Sequence, residues 1–530
     1  MSSKQGHAFR GRRAWIHVPA VAGVLWAVWG GRPSSVRAEA ASATSSTDRN
    51  RPVGVKARFI IDNDGTNLFV RSVLTDDDLR WAVAQCPTSV TTYMVCPNWC
   101  STFTYPCKVG EVVPRALAPA LVTAIERGQD PFGNFLTYLR QAGKEVFITY
   151  RMNDVHNAND PNDPGTASFK KQHPEWLVDP SAPQRKDGDW MNYGFDYSHA
   201  EVRAYILRSL TDLAERYDVD GFQLDWMRFP RHLSGTTAGQ AWSKRDALTG
   251  FVASVRKMLD EVGSRRGRRM LLAVRVPTTP AGCKYLGVDV AEWARQKLID
   301  FLTPAPFLSC DYVIPFEAFR NLLADHPIPL YAGTDLNHSG RCHTVESYRG
   351  WALSMYDQGA DGLNLFNFPC WTEYIGEQPY EWIADLNDPN KLTHKPALYT
   401  LVAGYHRIGG VDQPTPLPVT IHPAKGVDLV MKLPRIALPA SRALLLTAAS
   451  GEVQVSVNGT RLSHSWRAPS GNLFMPFMDA ELLNREPPAA ECRVFMVPPA
   501  LLRGGDNILT ITSSGKSASD LRRVDLGVWY

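Results

Sequence analysis

The chain has 530 residues, and its 57 Lys and Arg side chains against 53 Asp and Glu give a formal net charge of +4. Residues 1–40 hold six basic residues and one acidic residue, a local charge of +5, so the rest of the chain carries −1. Without a basic field, the chain is not expected to bind nucleic acid. A hydrophobic content of 44% with 21% charged residues excludes bulk disorder, and the length suits one large domain followed by a smaller one.

The first 40 residues predict an export signal. A basic region around Arg12 precedes an apolar run over 14–30, and the Ala-Glu-Ala triplet at 38–40 is a small-residue cleavage site. The Arg12-Arg13 pair favours twin-arginine export to the periplasm or the extracellular space, although the residues after it match that motif loosely. An uncleaved membrane anchor is the alternative, disfavoured because the apolar run is short for a span. Residues 41–57 predict a polar linker, and no later segment is expected to cross a membrane.

Nine cysteines fit an oxidising compartment, and the odd number leaves at least one unpaired. Four of them crowd into 22 residues, which favours local disulfide bonds: Cys86, Cys96, Cys100 and Cys107. A zinc site is the alternative, but the Cys96-x3-Cys100 spacing has no matching second pair and no His at ligand spacing.

Eight short apolar runs alternate with amphipathic stretches over residues 58–400. Each run is bounded by turn or polar residues and is apolar enough to be buried on both faces, as parallel strands are. The runs are 58–62, 92–96, 145–150, 221–225, 270–274, 299–303, 329–332 and 362–366. Eight such strands alternating with helices predict an α/β fold, a (β/α)8 TIM barrel. For the helix before the fourth strand, Ser198 and Glu201 predict a capping box.

Residues 401–530 follow a different pattern. Strands with period-two alternation are predicted at 419–422, 427–431, 443–447, 453–457, 507–511 and 524–530. The Asn458-Gly459 pair between two alternating runs predicts a hairpin turn. The barrel is therefore expected to be followed by a smaller all-β sandwich, jelly-roll-like and auxiliary to the barrel.

Side chains at the carboxyl ends of barrel strands face the active site. In this chain those positions hold carboxylates, guanidinium groups and aromatic rings, which suit recognition and cleavage of a glycan. The predicted substrate-binding residues are Asp62, Asn98, Trp99, Arg151, Asp154, Trp226, Arg228, Arg275, Asn337 and Trp371. There is no Ser-His-Asp pattern, phosphate-binding glycine loop or His/Asp cluster, so neither a cofactor nor a metal is expected. His156, His338 and His343 have no identifiable partner and are interpreted as loop or surface histidines.

Asp225 is the first choice for a catalytic carboxylate because it ends a buried strand, where a lone charge must be paired or line a cavity. The alternative is a structural ion pair with Arg228 or Arg275. For the second carboxylate, Asp335 at the end of the seventh strand ranks before Glu317, whose position also suits a partner of a helix dipole. The arginines at 151 and 275 are expected either to hold an acidic group of a sugar or to orient Asp225.

Two stretches carry a family resemblance. The segments 192–203 and 217–230, the second containing Asp-Gly-Phe-Gln-Leu-Asp225-Trp-Met-Arg, resemble the glycosyl-hydrolase-like 10 family, and 299–304 is similar to that family's sixth strand. The resemblance implies a TIM barrel that acts on a polysaccharide or glycan. The ending at Asp225 is also similar to the nucleophile strand of α-amylase-type enzymes, which implies a retaining mechanism. Residues 455–461 and 501–507 resemble galactose-binding-like jelly-roll domains.

Together these patterns predict an exported glycoside hydrolase that uses paired carboxylates, with the sugar and the oligomeric state left open. The alternative from another class is a noncatalytic carbohydrate-binding or cell-surface protein on a degenerate barrel. A metal-dependent deacetylase is a further alternative, which the missing His/Asp cluster weakens.

Overall fold

In the computed structural model, the chain is described over residues 57–530 except for 100, 157, 159, 161, 180–188, 236–237, 336–343, 369–379, 402–407, 409, 424, 469–470 and 476–488. The predicted signal at 1–40 and all but the last residue of the linker lie outside this part. Eight short strands are buried along nearly their whole length. They are β1 (Phe59–Asn63), β2 (Thr92–Val95), β3 (Glu145–Arg151), β4 (Gly221–Asp225), β5 (Leu271–Val276), β6 (Phe301–Pro304), β7 (Tyr331–Asp335) and β8 (Gly362–Phe366).

The eight strands form one parallel sheet in the order β6-β5-β4-β3-β2-β1-β8-β7. The two outer strands meet, because Leu302 forms a parallel bridge with Leu330 and its N–H donates to the carbonyl of Pro329 at 3.0 Å. The sheet therefore closes into a barrel, and the predicted (β/α)8 fold is confirmed.

Helices connect the strands, and several pack on the barrel: α4 on β3, α8 on β5 and α12 on β8. The helices are α1 (Thr66–Phe69), α2 (Asp76–Gln85), α3 (Pro119–Glu126), α4 (Pro131–Gln141), α5 (Ser168–Gln172), α6 (Ala200–Arg216), α7 (Ala238–Ser243), α8 (Arg245–Arg265), α9 (Pro280–Leu286), α10 (Val290–Arg295), α11 (Phe316–Leu322), α12 (Val345–Asp357), α13 (Tyr380–Ile383) and α14 (Pro389–Leu392). The capping box predicted at Ser198 is wrong, because α6 begins one residue later, with His199 at the N-cap and no side-chain cap.

The amino end of the barrel interior is filled by apolar side chains. This layer consists of Ile60, Met94, Phe147, Ala273, Phe301 and Tyr331. Next to this layer, at the amino end of the strands, Arg58 forms a bidentate ion pair with Glu145. Its Nε and Nη2 donate to the carboxylate at 2.8 and 3.0 Å. The guanidinium also lies 4.8 Å from the ring centre of Phe301. A largely buried ion pair thus closes the amino end of the barrel. The candidate catalytic residues lie at the opposite, carboxyl end of the strands.

Breaking this ion pair is expected to cost more than breaking an exposed one. Glu145→Ala leaves the buried charge of Arg58 without its carboxylate, and we expect a loss of about 3–5 kcal/mol in the free energy of unfolding. The matched control is Glu215→Ala, which breaks the exposed pair with Arg265 and is expected to cost less than about 1 kcal/mol. Urea unfolding of the two variants measures the difference. Equal losses in the free energy of unfolding would contradict a stabilising role for the Arg58–Glu145 ion pair.

The C-terminal part consists of two antiparallel sheets. Its strands are β9 (Ala397–Leu401), β10 (Val419–Ile421), β11 (Val427–Leu433), β12 (Arg442–Ala449), β13 (Val453–Val457), β14 (Thr460–Arg461), β15 (Ser465–Arg467), β16 (Cys492–Val497), β17 (Gly505–Ser513) and β18 (Ser519–Trp529). One sheet has the order β9-β18-β12-β16-β15 with β10 also on β18, and the other has the order β11-β17-β13-β14. The predicted all-β domain is confirmed. The first strand of this domain is β9, because it pairs with β18. It begins at Ala397, inside the range 58–400 predicted for the barrel.

The predicted hairpin turn is also present. Asn458 and Gly459 connect β13 to β14 with φ angles of 49° and 84°. Two positive φ angles in succession are what a two-residue hairpin of this kind requires, and Asn followed by Gly tolerates them best.

The predicted disulfides among the clustered cysteines do not form. Cys86, Cys96 and Cys107 are free thiols on separate elements, and Cys100 lies outside the described residues. Burial raises the pKa of the Cys96 thiol to about 12 and that of Cys86 to about 11, so neither is a reactive thiolate at neutral pH. In the part of the chain that the structure describes, no helix is long and apolar enough to cross a membrane.

Candidate active site

Asp225 ends β4 and accepts hydrogen bonds on both of its carboxylate oxygens. Its Oδ1 accepts from the backbone N–H groups of Met227 and Arg228 at 2.8 and 3.0 Å. Both carboxylate oxygens accept from Nη1 of Arg275 at 3.1 Å, and Asp225 is only 1% exposed. The pair follows from the sheet register, which places Asp225 beside Arg275 on β5. The ion pair that was the alternative to catalysis is therefore present.

Asp62 on β1 lies across the barrel from Asp225 and is in a different environment. Its Oδ2 accepts a 2.5 Å hydrogen bond from Nε2 of Gln223, which also donates to Oγ1 of Thr149 at 2.8 Å. Its Oδ1 has no hydrogen-bond partner among the described residues. Complete burial and the nearby charge of Asp225 raise the pKa of Asp62 to about 7. Asp62 is thus a carboxyl group that keeps its proton up to neutral pH.

The two carboxyl groups are neighbours in space. Gln223, which holds Asp62, comes two residues before Asp225 on the same face of β4, and that spacing corresponds to about 7 Å along a strand. The charge of Asp225 contributes to the raised pKa of Asp62, so the two carboxyl groups lie close enough to interact electrostatically, as a pair acting on one glycosidic bond must. The hydrogen bond between Gln223 and Asp62 links β4 to β1, two strands that are far apart in the chain.

A chain of alternating charges runs along the barrel mouth beside this pair. Asp64 binds Arg151 and, at 3.3 Å, Arg228, while Asp154 binds Arg151 and, at 2.7 Å, Nδ1 of His156. Burial favours the neutral acids, but the neighbouring cations prevail: Arg151 and Arg228 lower the pKa of Asp64, and His156 and Arg151 hold the pKa of Asp154 well below its usual range. We call these five residues the charge chain. It holds Arg151 away from Asp225, so of the two predicted orienting arginines only Arg275 binds that carboxylate.

The two other predicted catalytic residues stand on other elements, Asp335 on β7 and Glu317 on α11. Asp335 is fully buried at the end of β7, in register with Phe366 of β8, and its backbone N–H donates to Ser309 at 2.9 Å. Glu317 is exposed in the first turn of α11 and forms no hydrogen bond or ion pair with the described residues of the barrel mouth. Glu317 thus has the position expected of a partner of the helix dipole.

Of the ten predicted substrate-binding residues, the structure brings five to the carboxyl pair and the charge chain: Asp62, Arg151, Asp154, Arg228 and Arg275. Asn98 ties the segment after β2 to β3 through two hydrogen bonds with the backbone of Arg151, at 3.0 and 3.2 Å, and Trp99 beside it is half-buried in a short hairpin with 102–103. Trp226 is fully buried, with its ring against Tyr197 and Trp293 outside the barrel wall, so its prediction as a sugar platform is not supported. Asn337 and Trp371 lie outside the described residues, as do His338 and His343.

Three contributors were not predicted. Gln223 looked like part of an apolar strand, although its spacing of two residues from Asp225 already places both on one face. The sequence predicts His156 only as a loop histidine, but Asp154 orients its imidazole. Phe366 was treated as the end of a strand, yet its ring centre lies 4.0 Å from the guanidinium of Arg275. Among the described residues, no group of three or more His, Cys, Asp or Glu side chains is arranged to hold a metal ion.

No family model matches the sequence, and no curated protein matches it. The resemblance to the glycosyl-hydrolase-like 10 family, and that of the C-terminal domain to galactose-binding-like domains, therefore stay predictions.

Solved structures with a similar fold include three glycoside hydrolases. α-L-Fucosidase isoenzyme 2 from Paenibacillus thiaminolyticus has a TM-score of 0.43 and 11% identity, over 64% of this chain and 49% of that chain. GH36 α-galactosidase AgaB from Geobacillus stearothermophilus has a TM-score of 0.37 and 13% identity, over 88% of this chain and 55% of that chain. The PgaB (BpsB) glycoside hydrolase domain from Bordetella bronchiseptica has a TM-score of 0.40 and 13% identity, over 62% of this chain and 99% of that chain. The similar regions span about half the length of the first two proteins. With TM-scores below 0.5, these similarities say nothing about the chemistry of this chain.

Proposed function

We propose that the chain is an exported glycoside hydrolase in which Asp225 and Asp62 act as the pair of catalytic carboxyl groups. The observation that carries this proposal is their opposite electrostatic environments. Asp225 receives two backbone N–H groups and a guanidinium, which stabilise its charge, whereas Asp62 is buried with one hydrogen bond and keeps its proton to about pH 7. A buried carboxyl group with a raised pKa near a carboxylate that accepts several hydrogen bonds is the arrangement that acid catalysis of glycosidic cleavage needs.

The roles follow from these states. Asp62 donates its proton to the leaving glycosidic oxygen, while the charged Asp225 acts as nucleophile or as stabiliser of the positive charge that develops on the sugar ring. This replaces Asp335, the acid expected from the sequence, because Asp62 has a direct link to β4 through Gln223. Retention of stereochemistry rests on the resemblance of β4 to amylase-type enzymes.

A glycan panel tests the proposal. We expect the wild-type protein to release reducing ends from at least one neutral or acidic polysaccharide, whereas an Asp225→Asn protein, checked to be folded, does not. NMR of the first product reports retention or inversion at the anomeric carbon. Binding of a glycan by the folded wild type with no cleavage of any polysaccharide would favour the noncatalytic carbohydrate-binding alternative and overturn the proposed hydrolysis.

A further inference from the structure

The charge chain ends in a cation whose donors are largely unused. Arg228 is only 6% exposed, yet its Nε and Nη1 have no hydrogen-bond partner among the described residues. Its single ion pair, from Nη2 to Asp64, is long at 3.3 Å. A buried guanidinium normally satisfies its five N–H donors, because leaving them unpaired costs free energy. The unused donors therefore point to a missing partner.

The other arginines of the mouth are not equivalent to Arg228. Arg151 uses both terminal nitrogens on the carboxylates of Asp64 and Asp154, and Arg275 uses its terminal nitrogens on Asp225 and on the carbonyl of Pro306. In each of these two, only Nε lacks a partner among the described residues. Of the three, Arg228 has the most capacity to bind an additional acceptor.

The position of Arg228 is set before any ligand binds. Its guanidinium lies 5.0 Å from the ring centre of Phe229 and 5.7 Å from that of Phe366. Phe229 has a φ of 53°, a left-handed conformation that is unfavourable for a bulky residue and is most often retained at functional sites. Because the rings hold the guanidinium, little side-chain freedom remains to be lost on binding.

A second polar side chain adjoins the same ring. The imidazole of His156 lies edge-on to Phe229, with 4.8 Å between ring centres, and its side chain is 36% exposed. Its Nδ1 donates to Oδ1 of Asp154 at 2.7 Å, so Nε2 carries a hydrogen of its own only in the imidazolium form. Within the charge chain, two arginines face two aspartates, so an anion beside Arg228 meets no excess of negative charge.

We infer that Arg228 binds an anionic substituent of the glycan, a carboxylate of a uronic acid or a sulfate ester. The inference rests on the proposed function for the substrate being a glycan, and it adds the class of sugar. Since the backbone N–H of Arg228 binds Asp225, the acidic group belongs to a sugar at or next to the bond that is cleaved. The unused Nε and Nη1 lie on different edges of the guanidinium, and each can donate a charge-assisted hydrogen bond to an oxygen of such an anion.

Matched pairs of oligosaccharides test the inference by calorimetry on the full-length Asp62→Asn protein, which lacks the proposed acid. One arm compares uronate oligosaccharides, from polygalacturonate, alginate and hyaluronan, with their carboxyl-reduced forms. The other arm compares carrageenan oligosaccharides with their desulfated forms. We expect at least one acidic member to bind about 10- to 100-fold more tightly than its neutral partner, the effect of one or two charge-assisted hydrogen bonds. The arm that shows the preference identifies the anion.

Additional variants assign the preference to a residue. Adding Arg228→Gln should abolish it, Arg228→Lys should restore only part of it because the ammonium is a point charge, and Arg265→Gln, at the exposed end of α8, should leave it intact. Equal affinity for acidic and neutral partners, or a preference that survives Arg228→Gln, would overturn the inference. Hydrolysis of a neutral glycan by the wild type would then leave the proposed function standing, while selective binding without any hydrolysis would support the anion site and count against the hydrolase.

Discussion

Asp225→Asn is expected to lower turnover by about 10⁴-fold or more, because the amide neither carries the charge nor forms a glycosyl ester. The measurement is kcat on the glycan identified by the panel. The parallel variant Asp335→Asn is expected to lose less, since Asp335 lies at the end of β7 and is not the carboxylate held by Arg275. An Asp225→Asn protein with wild-type turnover would remove this residue from the mechanism.

The same substitution also affects folding, and a double variant separates the two effects. Asp225→Asn leaves the buried guanidinium of Arg275 without its countercharge, which is expected to cost about 3–5 kcal/mol of the free energy of unfolding. Adding Arg275→Gln removes the unpaired charge, so the double variant should recover most of that loss. It should remain inactive, because the carboxylate is still missing. Recovery of turnover together with stability would show that Asp225 is only structural.

Asp62 is expected to set the alkaline limit of activity. As a general acid it must carry a proton, so kcat/KM should fall as the pH rises through about 7, where this carboxyl group ionises. Asp62→Asn has no proton to donate and should lower kcat by about 10²- to 10⁴-fold on natural glycans. The loss should be smaller for aryl glycosides with good leaving groups, which need little protonation. A pH–rate profile of kcat/KM checks the limit, and an alkaline limb that persists in the Asp62→Asn variant would assign it to another residue.

The free energy of unfolding is expected to depend on pH differently in the wild type and in Asp62→Asn. The pKa of Asp62 is about 7 in the folded chain and about 3.9 in an unfolded one, so the folded state binds more protons between these values. Wild-type stability should therefore fall as the pH rises from 4 through 7, by at most about 4 kcal/mol from this group. Asp62→Asn lacks that loss and should be the more stable protein at pH 8. Urea unfolding at pH 5 and pH 8 measures the difference.

A milder change keeps Asp62 in place. Gln223 donates to the charged form of Asp62 and so opposes the rise of its pKa. Gln223→Met removes that donor, and the alkaline limb of kcat/KM should move to higher pH while the residual activity remains. An unchanged limb in a folded Gln223→Met protein would contradict the link between these two residues.

The order of the barrel strands was predictable from the sequence alone. Each strand is an apolar run of a few residues bounded by turns, and burial on both faces makes that pattern local and recognisable, as at 221–225 and 362–366. The position of Asp225 at a strand end follows from the same reading. The Asn458-Gly459 hairpin was predictable for a similar reason, because the turn depends on two adjacent backbone conformations.

Only the tertiary structure decided how the charges are distributed. Asp225 and Arg275 are 50 residues apart, and Gln223 and Asp62 are 161 apart, so no local pattern relates them. The pKa of Asp62 depends on burial and on a charge across the barrel, which arise only when the sheet closes. The disulfide prediction for the clustered cysteines is wrong for the same physical reason. Closeness along the chain does not bring side chains on different elements together, whereas the register of eight parallel strands does.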